Sequence, residues 1–148
     1  PVEHAAMTRV DFHFNAPAKL NYACRLLRKI HRAGQRAVVF GDPVTIATLD
    51  TELWTFSQLD FIPHVVAGDP NAARTPVLLC SEPVDTAHSD ILVNLGTEVP
   101  AFFSRFERVV EVVGPGDDDR LAARARWRHY KDRGYPLESH DLAARATE

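Results

Sequence analysis

The sequence predicts a single-domain α/β fold, a mostly parallel sheet with helices on both faces. Three observations carry that expectation. Strand-like runs alternate with segments of helical period along the whole chain. Most of those strand runs are continuously apolar, as strands covered on both faces are. The chain has 148 residues, a length that suits one domain with a self-sufficient core.

The elements follow in order. Residues 9–14 (RVDFHF) alternate apolar and polar, the period of a strand. Asn15 and Pro17 then signal a helix start. Leu20, Ala23, Leu27 and Ile30 recur at helical spacing over residues 19–33, and Gly34 stops that helix. Residues 36–40 (RAVVF) make a short strand. Gly41, Asp42 and Pro43 then read as strand exit, N-cap and first-turn proline. Ile46, Leu49 and Leu53 mark one face of a second helix ending near Trp54. Prolines at 63, 70, 76, 83 and 100 punctuate the middle, where residues 77–80 (VLLC) and 91–95 (ILVNL) read as buried strands. Residues 99–106 hold a helical turn or two. The run 108–113 (RVVEVV) is the strongest strand signal, broken by Gly114-Pro115-Gly116, and a long helix follows over about 117–133. Residues 134–148 are a polar, alanine-containing tail expected to dock as a short helix or to fray.

Composition narrows the classes. Apolar content is 45% and net charge is −3, so any basic surface must be local. Cys24 and Cys80 form no C-x-x-C pair, which fits a reduced, cytoplasmic protein better than a disulfide framework. No apolar run approaches the ~18 residues of a membrane span. Residues 1–6 precede the only methionine, Met7, and are read as an upstream extension or expression remnant.

Familiar catalytic and cofactor motifs do not occur. There is no phosphate-loop motif and no G-x-G-x-x-G, so the fold is expected to be Rossmann-like without a nucleotide site. Asp42, at a helix N-terminus, competes with a phosphate for the same N–H groups and reads as a cap. The histidines at 4, 13, 31, 64, 88, 129 and 140 show no metal-ligand spacing, so no metal or other cofactor is expected. Ser81, Glu82, Asp85, His88 and Asp90 contain acid–base residue types, but in a proline-rich loop with no motif to fix roles. A small nucleotide- or phosphate-processing enzyme on this fold is the alternative function.

The last helix is the informative segment. Asp117, Asp118 and Asp119 stand at its N-terminus, where negative charge is favoured. Basic residues follow at 120, 124, 126, 128, 131 and 133, with Arg120, Arg124 and Arg128 at i, i+4 and i+8. Trp127 and Lys131 lie on the same side. Three uses fit such a face: a solvated surface with Trp127 packed inward, a site for an acidic peptide, or a stacking platform for single-stranded nucleic acid. Net negative charge and the aspartate triplet count against the last. A second group, Trp54, Phe56, Phe61, Ile62 and Pro63, reads equally as core or as interface.

Three phrases in register, RVDFHF (9–14), LWTFSQLDFIPH (53–64) and RWRHYKDRGY (126–135), together with DILVNL (90–95), resemble the chi subunit family of DNA polymerase III holoenzyme. The resemblance covers residues 7–137 as one chi-like α/β domain, leaving 138–148 as a tail. It implies a cytoplasmic replisome adaptor with no active site. Its implied partners are the psi subunit of the clamp loader, or a helicase in place of psi, and the acidic C-terminal tail of single-stranded DNA-binding protein, so that contact with DNA is indirect. The tail, which ends in a Pro-Phe carboxylate, would meet Val113, Arg124, Trp127, Arg128 and Lys131. Trp127 stands where the family often has tyrosine, and Arg128 where it often has lysine. Trp54 and Phe61 match aromatic positions used for psi or the helicase.

Overall fold

The computed structural model describes residues 7–56 and 61–143. The expected extension at 1–6, the last five tail residues and positions 57–60 of the aromatic loop lie outside the described residues. Among the described residues, seven strands form one sheet, and every pairing is parallel. The elements run β1 (Arg9–Phe14), α1 (Lys19–Arg32), β2 (Ala37–Phe40), α2 (Pro43–Thr55), β3 (His64–Val66), β4 (Val77–Cys80), β5 (Ile91–Asn94), β6 (Arg108–Val112), α3 (Asp117–Asp132) and β7 (Leu137–Asp141). Their order across the sheet is β3-β4-β2-β5-β6-β1-β7.

Alternation within the strands builds two cores. Val39, Leu79, Val93 and Val110 pack under Leu27 of α1 and Leu49 of α2. Their neighbours Val38, Leu78, Leu92 and Val109 face the opposite side, with Ala123 and Tyr130 of α3. Phe102, Phe103 and Phe106 fill the rest of that second layer, where the expected helical turn is a single 3₁₀ turn, Phe103–Arg105. Each such side chain contributes about 1.5–3 kcal/mol on burial. A one-residue slip would exchange the two apolar sets between faces, so register is tightly fixed.

Helix ends follow local chemistry. The Asp42 carboxylate accepts the Thr45 N–H at 2.8 Å and its hydroxyl at 2.9 Å, with Pro43 in the first turn of α2. Gly34 and Gly134 close α1 and α3 at positive φ, 76° and 81°, where a side chain would be strained.

Two strands depart from the sequence expectation. β3 has only three residues between prolines, too few to show a period. Residues 137–141 (LESHD) belong to a strand, not to a helix or a frayed tail. They lack an apolar run because β7 is an edge strand, held by its ladder to β1 rather than by burial. The preceding Pro136 carbonyl also accepts the Val10 N–H, at 2.9 Å. Among the described residues, no helix is long and apolar enough to cross a membrane. Cys24 and Cys80 are free and buried, and burial is the main cause pushing their thiols up to about 11 and about 12.

Candidate functional site

A groove of about 390 Å³ opens between α3 and the β1–β7 edge of the sheet. Phe12, Phe14 and Asn15 come from β1 and its exit, Val113 from the end of β6, and Ser139 from β7. Arg120, Ala123, Arg124 and Trp127 come from α3. Their spacing places all four on one stripe of the helix. Phe12 meets Trp127 edge to face, with ring centroids 5.2 Å apart.

The walls are held in place by specific bonds. Asn15 takes positive φ (62°), and its side-chain amide donates to Asp141 Oδ1 at 2.9 Å, fastening β7 to the end of β1. The Asp119 carboxylate accepts the Gly114 N–H at 2.7 Å and pairs with Lys19 Nζ at 3.1 Å. The first turn of α3 is thereby anchored to both the β6 exit and α1.

Of the residues that the resemblance suggests, Val113, Arg124 and Trp127 line this groove together. Arg128 and Lys131 are exposed and continue the same stripe beyond Trp127, but they do not line the groove. Arg120 does line it, with Phe12 and Phe14, and was not among the implied site residues. The i, i+4 spacing of Arg120 and Arg124 was the available signal. Arg120 reaches Asp117 at 2.8 Å across an exposed i, i+3 pair. Arg124 and Arg128 have no ion pair among the described residues.

Arg126 does not belong to the basic face that the sequence suggests. It is buried beneath α3, where its Nε donates to Glu111 Oε1 at 2.9 Å and Nη1 to the Thr97 carbonyl at 3.0 Å. Tyr130 donates to Glu111 Oε2 at 2.6 Å, and the Asn94 amide donates to both carboxylate oxygens. Burial pushes the Glu111 carboxyl up, while Arg126 leads the three donors in pulling it back. The same burial and the adjacent carboxylate push the Tyr130 phenol up. The cluster is buried, and its groups bond to one another except at Arg126 Nη2, which has no hydrogen-bond partner among the described residues.

The aromatic loop sits at the opposite edge, beside β3. Trp54 and Phe61 are each 59% exposed, with ring centroids 5.5 Å apart. Ile62 is core, and Phe56 packs on its margin beneath the Arg28 guanidinium. Trp54 also lies 4.8 Å from the His64 ring. His64 Nε2 is 3.1 Å from Asp50.

The acid–base residues of the proline-rich loop do not converge. His88 is buried, with Nε2 2.6 Å from the Thr75 carbonyl and Nδ1 2.8 Å from the Thr86 hydroxyl. Burial, the larger cause, holds its pKa below the usual imidazole value. Asp90 accepts the Arg36 N–H at 2.8 Å, and the exposed Asp85 pairs with Arg105 at 3.5 Å. At the carboxyl ends of β2 and β5, a cavity is lined by Asp42 and Glu98. The Asp42 carboxylate takes up the Thr45 N–H, one of the α2 N-terminal donors that a phosphate would use.

These features define an α/β domain of Rossmann-like class with an arginine-flanked aromatic groove at one sheet edge and an exposed aromatic pair at the other. The family model "DNA polymerase III chi subunit, HolC" matches residues 7–138. A DNA polymerase III subunit chi from Pseudomonas aeruginosa is 39% identical over 141 residues, covering 92% of this chain and 98% of the relative. The subunit chi of Escherichia coli is 28% identical over 118 residues, 78% of this chain and 80% of the relative. That of Haemophilus influenzae is 25% identical over 122 residues, 81% and 85% respectively. The chain belongs to the DNA polymerase III chi subunit family, a family of accessory replication subunits.

Proposed function

We propose that the chain is a non-catalytic adaptor that links the clamp loader, through psi, to the acidic C-terminal tail of single-stranded DNA-binding protein. The observation that carries this reading is the groove itself. Its floor is aromatic and aliphatic, and its cations, Arg120 and Arg124, stand on the α3 side. An aromatic terminal residue fits the floor, while its carboxylate and the preceding acidic residues fit the guanidiniums. Arg128 and Lys131 extend the attraction along the exposed stripe. No step of this function requires a cofactor.

Exposed charge pairs are screened by salt, so binding is expected to be roughly micromolar, near −8 kcal/mol, and weaker at high ionic strength. Trp54 and Phe61 offer psi, or a helicase in its place, an aromatic anchor at the far edge of the sheet. Both partners then fit on one chain without competing for surface.

Fluorescence anisotropy with an acidic peptide ending in Pro-Phe tests the tail reading. The free carboxylate form is expected to bind saturably, and the C-terminal amide to bind much less. Equal binding of the two forms, or affinity indifferent to salt, would sink the arginine assignment.

A further inference from the structure

The fold assembles a second set of side chains on the sheet face opposite the groove. Phe12 and Phe14 of β1 line the groove, so the alternate residues Asp11 and His13 point to the other face. The parallel ladder sets His13 beside His140 and Asp11 beside Glu138. One donor atom from each of Asp11, His13 and His140 lies within 4.8 Å of the other two. Sequence spacing hides this set, because its members are brought together by pairing between β1 and β7.

Two further observations point to a ligand. Asp11 is 2% exposed, and only one of its oxygens is used: Oδ2 accepts Arg108 Nε at 2.6 Å. Oδ1 is also buried and has no hydrogen-bond partner among the described residues. Leaving such a buried acceptor unsatisfied costs about 1–3 kcal/mol. Meanwhile His13 Nδ1 shares a 2.5 Å hydrogen bond with the Tyr22 hydroxyl. Metal-bound imidazoles are commonly oriented by donating the N–H of the nitrogen that does not ligate, and Tyr22 Oη can accept from His13 Nδ1 in that tautomer.

We propose that Asp11, His13 and His140 bind a zinc-class divalent ion, with Asp11 ligating through Oδ1 and His13 through Nε2. Two imidazoles and one carboxylate are a borderline-soft donor set. Arg108 already offsets the Asp11 charge, which disfavours calcium and magnesium, since these depend on carboxylate oxygens. Ligand atoms around tetrahedral zinc stand about 3.4 Å apart, given bonds of ~2.0–2.2 Å. The set must therefore contract by an ångström or so, on the order of a small rotation at one side chain. His140 is the member with room to move, with its side chain 27% exposed. Glu138 Oε1, 3.8 Å from His140 Nε2, or a water completes the shell. The ion would clip edge strand β7 to β1, and Ser139, between Glu138 and His140, lines the groove on the other face.

The test uses the untagged full chain after chelator treatment, titrated with cobalt(II) and then with zinc. One cobalt per chain with visible d–d bands, displaced by zinc, is the expected result. Zinc should also raise the melting temperature. Both effects should vanish in His140→Ala and persist in His129→Ala. Because His13→Ala is a buried change that can disturb folding, the partly exposed His140 carries the test, with its metal-free melt as the folding control. Absence of the cobalt spectrum in wild type, or equal binding by His140→Ala, would overturn the site. The second result would mean adventitious surface binding.

Discussion

Arg124 and Arg126 stand two residues apart on α3 and serve two different regions. Arg126 lies under the helix, where Glu111, Tyr130, Asn94 and the Thr97 carbonyl close a buried polar cluster around it. Arg124 lies on the flank, at the wall of an open groove, with no ion pair among the described residues. Both regions combine arginine with aromatic rings. The difference lies in what satisfies the charge. In the cluster the partner is internal and already present. In the groove the guanidinium faces solvent and leaves room for a carboxylate from elsewhere. An arginine therefore signals binding only when the fold leaves its partner unsupplied.

The sharpest way to break this comparison is to truncate each arginine. Arg126→Ala leaves Glu111 buried and unpaired and is expected to destabilise the fold by about 3–5 kcal/mol in urea denaturation. Arg124→Ala, on the exposed flank, is expected to change stability by no more than about 0.5 kcal/mol. Similar losses for the two variants would erase the distinction.

Charge reversal at Arg124 probes the groove itself. Arg124→Glu is expected to weaken the acidic peptide at least tenfold, about 1.4 kcal/mol, in anisotropy titrations. Its melting temperature should stay close to wild type.

Asp42 supplies a calibration away from both regions. Asp42→Ala removes the α2 cap and should cost about 1 kcal/mol in chemical denaturation. The Thr45 backbone and hydroxyl bonds hold the Asp42 carboxyl below its ordinary value. The cap's stabilisation is therefore present above the unfolded carboxylate value, roughly pH 4. It is lost as pH falls through the lower folded value. The wild-type advantage over Asp42→Ala should shrink in that acid range.

The smallest expected effect is at the far edge. Trp54→Ala should leave stability within about 0.5 kcal/mol of wild type and leave peptide affinity unchanged. In pull-down it should reduce capture of psi or the helicase. Loss of peptide binding in this variant would merge two surfaces that the sheet keeps apart.

Much of this architecture is legible in the sequence. Five strands and three helices follow from apolar runs, period and end signals. Buried runs such as VLLC carry their own hydrophobic signal, whereas β7 does not. LESHD is held by a neighbour's ladder, and nothing local announces that. The groove was half legible. Val113, Arg124 and Trp127 sit on one strand end and one helix, so their proximity follows from local geometry. Phe12 and Phe14 join them only because β1 lies beside β6 in the sheet. Arg126 misled because charge on a helix reads as solvated, and its partner Glu111 sits on another element. Asn94, which also holds Glu111, read only as part of an apolar strand. Trp54 and Phe61 were ambiguous until exposure separated them from Ile62.

Chemical-shift mapping of the acidic Pro-Phe peptide on the labelled chain tests the groove most directly. Perturbations are expected at Phe12, Phe14, Val113, Arg120, Arg124, Trp127 and Ser139, fading toward Lys131. Perturbations centred on Trp54 and Phe61, with the α3 flank silent, would contradict the assignment of the tail to this groove.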